Sequence, residues 1–360
     1  MHLRKVTTPS GVPNCLSQNQ RKGRHMLRMA VISCKGLFIE AGIACCFLIF
    51  ALSVQAAPPL TPGTPVKVSD SNGGFDFIRV DSSANRLLLA QERGNAAFLV
   101  FDLGTKKLLK TVPTSTSQDA AIDLKHDTYY VSGNDPHRML IISRKDLSVI
   151  GNVPVPANTD LIAYDPLTQQ VHESNDTAAE EWVIDPNTKQ IVTTIKFNGS
   201  GVEDLAFDSG YKHLYQAIKG TNMIAEVDPA SNQVLHQWPL APDTGAHGIA
   251  IVSDGSGLLV ACAGKLVLMD RSSGKILDRA DVPQGVDEMA YDPHTHLAYL
   301  ASRMGELGVV RVAADKLTSL GSVPDEKGTH SVTFDPKTHT VWIAYGKGNE
   351  CFVQPFTPAE

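Results

Sequence analysis

Seven polar or ionisable residues recur along this chain at steps of 40–44 positions, and their side chains are of the types that bind metal ions or transfer protons. Four are carboxylates, two are imidazoles and one is an amide: Asp76, Gln118, Asp160, Glu203, His247, Asp287 and His330. Two imidazoles and one carboxylate suit a borderline divalent ion such as Zn, Cu or Mn. We therefore expect a bound metal, the one cofactor that the sequence suggests, to contact His247, Asp287 and His330.

Four of the repeats contain a basic residue 11 or 12 positions beyond the aspartate that ends their first predicted strand. These basic residues are Arg93, Lys219, Arg303 and Lys347. With a metal present, Glu203 and Asp160 would serve as oxygen ligands or as a general base, and Arg303 or Lys219 would stabilise an anionic substrate. The alternative is a set of carboxylates that accept backbone hydrogen bonds, beside histidines that cap a water-filled channel.

Each of the seven residues begins a short apolar segment that usually ends in aspartate. The segments are DFIRVD, QDAAID, DLIAYD, EDLAFD, HGIAIV, DEMAYD and HSVTFD. The fourth repeat reads as four strands, Leu205–Asp208, His213–Ile218, Met223–Asp228 and Gln233–Leu240, separated by turns rich in Gly, Pro, Asn and Ser. Four short strands in every 40–45 residues or so are typical of a β-propeller blade.

The sequence therefore predicts an all-β fold, a seven-bladed β-propeller with four-stranded antiparallel blades. The seventh repeat offers three strands, so we expect a strand within residues 64–68 to join the last blade and close the ring. In a propeller, the seven recurring residues form a ring at one mouth of the channel, and the four basic residues lie on the same face. Asp119, Asp204 and Glu288, each one residue past the ring, are expected to add acid there.

The residues before the first repeat have the character of an export signal. The segment 36–54 is apolar apart from Glu40 and Ser53, follows basic residues and leads into Val54-Gln55-Ala56. Small residues at these positions predict a leader over 1–56, cleaved near Ala56 or Ala57, with Met26 as an alternative start. The competing interpretation is an uncleaved membrane anchor. We expect a periplasmic or secreted protein with one propeller domain over 57–360 and no membrane span in the mature chain.

Composition excludes several classes of function. Residues beyond the leader include 25 basic and 37 acidic side chains, a charge of −12 that disfavours nucleic-acid binding. The chain has no C-x-x-C-H, P-loop or G-x-S-x-G motif. Only Cys262 and Cys351 lie beyond the leader, at different places in their repeats, so we expect a monomer that is stabilised by its core and not by disulfides.

The repeats, with their YDP-x-T and IDP-x-T turns and the HGIA segment at His247, resemble the YVTN-repeat, YncE-like family of seven-bladed propellers over about residues 64–356. That superfamily and its neighbours include secreted proteins of unknown role, lactonase-like enzymes and domains of periplasmic oxidoreductases. The resemblance carries no catalytic motif to this chain. We expect a binding scaffold for a small ligand, a metal ion or a partner protein at the channel mouth. The alternative is a metal-dependent, lactonase-like hydrolase or lyase that uses the ring of His, Asp and Glu.

Overall fold

A computed structural model describes residues 57–175, 177–252 and 257–359 of the protein. The described chain forms seven antiparallel sheets, one of five strands and six of four. Its one helical element is a single 3₁₀ turn, Lys219–Thr221. The predicted fold class, a seven-bladed propeller of four-stranded blades, is thus confirmed. The predicted leader lies outside the described residues.

The first three blades follow one another along the chain, each running from the innermost to the outermost strand. Blade 1 comprises β3 (Phe75–Asp81), β4 (Arg86–Gln91), β5 (Ala97–Asp102) and β6 (Lys107–Pro113). Blade 2 comprises β7 (Ala120–Asp123), β8 (Thr128–Asn134), β9 (His137–Ser143) and β10 (Val149–Pro154). Blade 3 comprises β11 (Thr159–Asp165), β12 (Gln170–Asn175), β13 (Glu180–Asp185) and β14 (Gln190–Lys196).

The next three blades repeat the same order. Blade 4 comprises β15 (Val202–Asp208), β16 (His213–Ile218), β17 (Met223–Asp228) and β18 (Gln233–Pro239). Blade 5 comprises β19 (Ile249–Ile251), β20 (Gly257–Cys262), β21 (Lys265–Asp270) and β22 (Ile276–Asp281). Blade 6 comprises β23 (Val286–Asp292), β24 (Leu297–Ser302), β25 (Glu306–Val312) and β26 (Leu317–Pro324).

Blade 7 joins the two ends of the described chain. It comprises β27 (Ser331–Phe334), β28 (Val341–Lys347), β29 (Glu350–Pro358) and, from the N-terminal side, β1 (Leu60–Pro62) and β2 (Val66–Val68). The predicted closing strand is β2, which pairs with the first half of β29. The pairing of β1 with the second half of β29 was not predicted from the sequence. Because these pairings cover the edge of β29, the last blade is protected from edge-to-edge association.

The turns that end the strands are built by aspartates. The Asp165 carboxylate accepts the amide of Leu167, and the Asp335 carboxylate accepts the amide of Lys337. Three more aspartates accept the amide of the residue two positions later in the chain: Asp185, Asp228 and Asp292. Such contacts favour the turn over continued strand, so the regular Asp-Pro positions shorten the strands to blade length.

Stability comes from apolar layers between neighbouring blades. Each of the seven interfaces has its own cluster of buried side chains, to which the alternating residues of both blades contribute. Cys262 and Cys351 are buried free thiols in two of these layers. No helix in the described ranges is long and apolar enough to span a bilayer.

Candidate functional site

Six of the seven recurring polar residues line one cavity at the start of the innermost strands. The cavity has a volume of about 170 Å³. Its ring residues are Asp76, Gln118, Asp160, Glu203, His247 and Asp287. The seventh, His330, lies beside it, with its Nε2 atom 3.8 Å from Asp76 Oδ1. The repeat period therefore located residues that converge in space, while their role in binding a ligand stays a prediction.

Two of the four predicted basic residues reach this cavity, and each is paired with a ring carboxylate. Lys219 Nζ lies 3.0 Å from Glu203 Oε1, and the Arg303 guanidinium binds Asp287 Oδ2. The other two basic residues do not line the cavity. Arg93 is ion-paired with Glu92 and lines a neighbouring depression, and Lys347 is paired with Glu326 on the surface.

The two ring histidines are oriented by the same local device, a glycine two residues before each. The φ angles are +68° at Gly245 and +92° at Gly328, a region that side chains disfavour. His247 Nδ1 lies 2.9 Å from the Gly245 carbonyl oxygen, and His330 Nδ1 lies 3.0 Å from that of Gly328. A carbonyl only accepts hydrogen bonds, so Nδ1 of each ring carries the proton.

The Nε2 atoms of the two histidines meet different carboxylates. His247 Nε2 lies 3.3 Å from Asp287 Oδ1 and 3.8 Å from Glu203 Oε2. His330 instead belongs to a group with Asp76 and Glu288, in which one candidate ligand atom from each residue lies within 4.8 Å of the others.

The expected metal group of His247, Asp287 and His330 is therefore corrected. His247 and Asp287 are close together, but the group that forms around His330 takes its carboxylates from Asp76 and Glu288. The physical reason is that the Asp287 carboxylate is held by Arg303 and His247.

Burial and charge divide the carboxylates of this site into two kinds. Burial, followed by repulsion from Asp160, Glu92 and Asp287, raises the pKa of Asp76 well above its ordinary value. Burial also tends to raise the pKa of Asp287. The charges of Arg303 and the two ring histidines outweigh burial there, so the pKa of that carboxyl is lowered. Opposite charges thus hold the Asp287 carboxyl ionised, whereas burial and like charges favour the protonated form of Asp76.

The acids one residue past the ring have a structural role that was not predicted from the sequence, besides the acid that two of them add to the cavity. Asp119, Asp204 and Glu288 are buried, and each accepts a backbone amide of the following blade. The donors are Ile162 at 3.3 Å, Ile249 at 3.0 Å and Val332 at 3.3 Å, in that order. Asp204 and Glu288 also line the cavity, but Asp119 does not.

A single arginine compensates these three buried acids. Arg79 takes the position on β3 at which five other blades have alanine, and its guanidinium donates two hydrogen bonds to Asp119, at 2.9 and 2.7 Å. Burial raises the pKa of Asp204 to about 7 despite the charge of Arg79. Arg79 was noted in the sequence only as an exception among small residues. The sequence signal for its role as their counter-charge was the presence of these three acids in the second, fourth and sixth repeats.

The channel continues beyond this arginine. Along β3 the chain passes from Asp76 and Phe77, which line the acidic cavity, to Arg79 and Val80, which line a second cavity of about 430 Å³. The second cavity is walled mainly by small and apolar side chains, including Ala121. Ionisable groups are therefore concentrated at the ring end of the channel.

Known proteins resemble this chain in sequence over part of its length. No family model matches it. Two curated relatives, each called "Uncharacterized protein YncE", come from Salmonella typhi and Salmonella typhimurium and are 26% identical over 163 residues. The alignment covers 44% of this chain and 46% of each relative, so the matched segment spans about half the length of these proteins.

Solved structures resemble the fold over most of the chain. The crystal structure of the RRP9 WD40 repeats has a TM-score of 0.69 at 12% identity, and covers 82% of this chain and 100% of that one. Kuenenia stuttgartiensis hydrazine synthase has a TM-score of 0.69 at 16% identity, and the match covers 81% of this chain and 97% of that one. At these identities the likeness concerns the propeller architecture alone.

Proposed function

From the seven-bladed fold, the 26% identity to the two YncE relatives and the charge of the channel mouth, we propose that the chain is a YncE-like propeller that acts as a binding scaffold for a small cationic ligand. The observation that carries the proposal is the composition of the 170 Å³ cavity. Its wall contains seven carboxylates against two basic side chains: Asp76, Glu92, Asp160, Glu203, Asp204, Asp287, Glu288, Lys219 and Arg303.

The two basic side chains are already engaged. Lys219 is paired with Glu203, and Arg303 with Asp287, so neither is free to hold an anionic group. An anion would also enter a wall in which repulsion from Asp160, Glu92 and Asp287 already helps to raise the pKa of Asp76. Repulsion of this kind is strong in a partly enclosed site. A cation gains from the same field, so a metal ion or a protonated amine suits this site better than the anionic substrate of a hydrolase.

The size of the cavity limits the ligand. Drug-sized ligands occupy pockets of roughly 300–1,000 Å³, whereas this cavity measures about 170 Å³. A metal ion with its waters, or a short amine, fits that volume. A nucleic-acid strand would bring phosphates to a wall of carboxylates, which opposes binding.

Thermal unfolding of the untagged protein in the presence of small ligands tests this proposal. Putrescine, ethanolamine and divalent cations are expected to raise Tm, since a ligand that binds only the folded state stabilises it by about 2.7 kcal/mol at 100 times its Kd. Malonate and succinate, of similar size, are expected to leave Tm unchanged. Equal stabilisation by the dicarboxylates, or none by any cation, would contradict the proposal.

Replacement of two ring acids by amides tests whether the ligand binds in this cavity. The double substitution Asp160→Asn/Glu203→Gln is expected to weaken amine binding at least tenfold, because it removes two of the acids that line the cavity. Asp281→Asn is the matched control, since Asp281 is a strongly exposed acid outside this cavity. If both variants bind amines as the wild type does, the ligand site lies elsewhere.

We also propose that the protein acts in the periplasm or outside the cell. The support is the apolar segment at 36–54, its basic flank and the small residues before Pro58. Mass spectrometry of the protein from fractionated cells should find a mature N-terminus near Ala57 or Pro58 in the exported fraction. An intact N-terminus in a cytosolic fraction would refute this assignment.

A further inference from the structure

His330 presents a free nitrogen lone pair in a nearly closed part of the channel mouth. The side chain is buried, with 3% of the residue exposed. Because Nδ1 donates its proton to the Gly328 carbonyl, Nε2 is the acceptor nitrogen of the neutral ring. No hydrogen-bond donor in the described chain reaches Nε2. A buried acceptor without a donor is costly unless it meets a proton donor or a metal ion.

Glu288 presents a second unpartnered atom to the same place. The residue is 2% exposed, and its Oε2 accepts the amide of Val332 on the neighbouring blade. That bond fixes the carboxylate, while Oε1 lacks a hydrogen-bond partner within the described part of the chain. Anchoring of one carboxylate oxygen by the backbone is the kind of support that holds metal ligands in position.

Asp76 is the third member of the set of donor atoms, and Glu92 lies beside it. Asp76, Glu288 and His330 offer one ligand atom each, all within 4.8 Å of one another. The Oδ1 atom of Asp76 and the Oε1 atom of Glu92 each lie 3.8 Å from His330 Nε2. Two ligands with bonds of about 2.1 Å lie roughly 3.0–4.2 Å apart around one metal ion. The two separations of 3.8 Å lie in that range, and the limit of 4.8 Å for the group of three lies slightly above it.

Other charged groups face this position from several strands. Arg93 pairs with Glu92, Arg303 pairs with Asp287, and Arg79 lies deeper in the channel. None of these cations is paired with Asp76, Glu288 or His330. Among the described residues, the ion pairs of these cations thus leave Asp76, Glu288 and His330 without an arginine in direct contact.

We propose that Asp76, Glu288 and His330 bind one divalent transition-metal ion, with Glu92 beside the group. The proposal rests on the proposed function, since it names the cation at one side of the same cavity. Several carboxylates with one neutral imidazole suit Mn²⁺ first and Zn²⁺ second, because carboxylates favour harder ions and imidazole suits borderline ones. His247, at the equivalent position of blade 5, lies with Asp287 and Glu203 and is not part of this set.

Metal binding to the untagged protein tests the site directly. After dialysis against EDTA, the protein is titrated with Mn²⁺ or Zn²⁺, and bound metal is measured by elemental analysis, calorimetry and, for Mn²⁺, electron paramagnetic resonance. We expect about one equivalent in the wild type. Glu288→Gln and His330→Gln are each expected to weaken binding at least tenfold. His137→Gln, at an exposed histidine outside the cavity, is the matched control and should bind as the wild type does.

The outcomes separate this site from its alternatives. Loss of metal in His247→Gln, with retention in His330→Gln, would overturn the proposal in favour of a site around His247, Asp287 and Glu203. Absence of bound Mn²⁺ and Zn²⁺ in the wild type would also overturn it. In that case amine binding to the cavity would leave the proposed function standing, and its absence would remove both. Far-ultraviolet circular dichroism in EDTA verifies folding, and Asp76→Asn replaces any variant that does not fold.

Discussion

Arg79→Ala is expected to destabilise the propeller by about 2–4 kcal/mol, although alanine is the residue that five other blades have at this position. The loss leaves Asp119, Asp204 and Glu288 buried without their shared cation. Breaking a fully buried pair typically costs about 3–5 kcal/mol. We expect somewhat less, because 34% of the Arg79 side chain is exposed.

The effect of this substitution should depend on pH. Burial already raises the pKa values of Asp119 and Asp204, and the charge of Arg79 opposes that rise. Without the arginine these carboxyls are protonated over a wider range in the folded state than in the unfolded state. Stability is then lost as pH rises, so the difference from the wild type should be larger at pH 8 than at pH 5.

Urea unfolding followed by tryptophan fluorescence at the two pH values measures this prediction. Arg311→Ala removes an exposed arginine of β25 and is the control, with an expected change below about 0.5 kcal/mol. Equal stabilities of the two variants, or a larger loss at pH 5 than at pH 8, would show that Arg79 does not compensate the buried acids.

Glu173→Gln is expected to stabilise the protein at alkaline pH. Glu173 lies fully buried in β12, opposite Ile162, where the same register in other blades places Leu89 and Leu300. Burial raises the pKa of Glu173 to about 8 from the ordinary 4.5, against a smaller opposing contribution of the Thr159 hydroxyl. In that interval the carboxyl stays protonated in the folded state and ionises in the unfolded state.

The direction of this pH dependence follows from the proton that Glu173 releases when the protein unfolds. As pH rises from 4.5 to about 8, the unfolded state binds fewer protons than the folded state, so the wild type loses stability over that range. At about 1.4 kcal/mol per pKa unit, the loss is on the order of 3–5 kcal/mol above pH 8. Glutamine cannot ionise, so the variant should equal the wild type near pH 4 and exceed it increasingly up to pH 8.

Urea unfolding across pH 4–8.5 measures this difference. Glu350→Gln, at a half-exposed glutamate paired with Lys67, serves as the control and should show a small change, since exposed pairs are worth about 0–1 kcal/mol. A pH-independent difference between Glu173→Gln and the wild type would refute the assignment of a protonated Glu173 in the fold.

The period of the repeats was sufficient to predict the blades and the ring, because equivalent residues of a propeller must occupy equivalent places. Strand β2 was predicted for the same reason, since the last repeat lacked its outer strand. The grouping of the side chains was not predictable from spacing. His330 faces Asp76 because the ring closes between blades 7 and 1, but the choice between Asp287 and Glu288 depends on which carboxylate Arg303 binds.

Glu92 illustrates a second limit of the sequence. It follows β4 directly and comes before Arg93, one of the basic residues selected from the sequence. The two side chains pair with each other, and the glutamate, not the arginine, lines the acidic cavity. Spacing identified the loop correctly, but the direction of each side chain within the loop could not be read from spacing.

The three buried acids also divide the ring into units larger than one blade. Asp119 joins blade 2 to blade 3, Asp204 joins blade 4 to blade 5, and Glu288 joins blade 6 to blade 7. Blade 1 has Phe77 at the equivalent position and supplies Arg79, the cation that the three acids share. The ring thus consists of three two-blade modules and blade 1, which supplies the arginine. Duplication or removal of a whole module would leave the acid–amide contacts of the other modules intact, whereas removal of a single blade other than blade 1 would break one. Recombination of propellers of this kind should therefore succeed in steps of two blades.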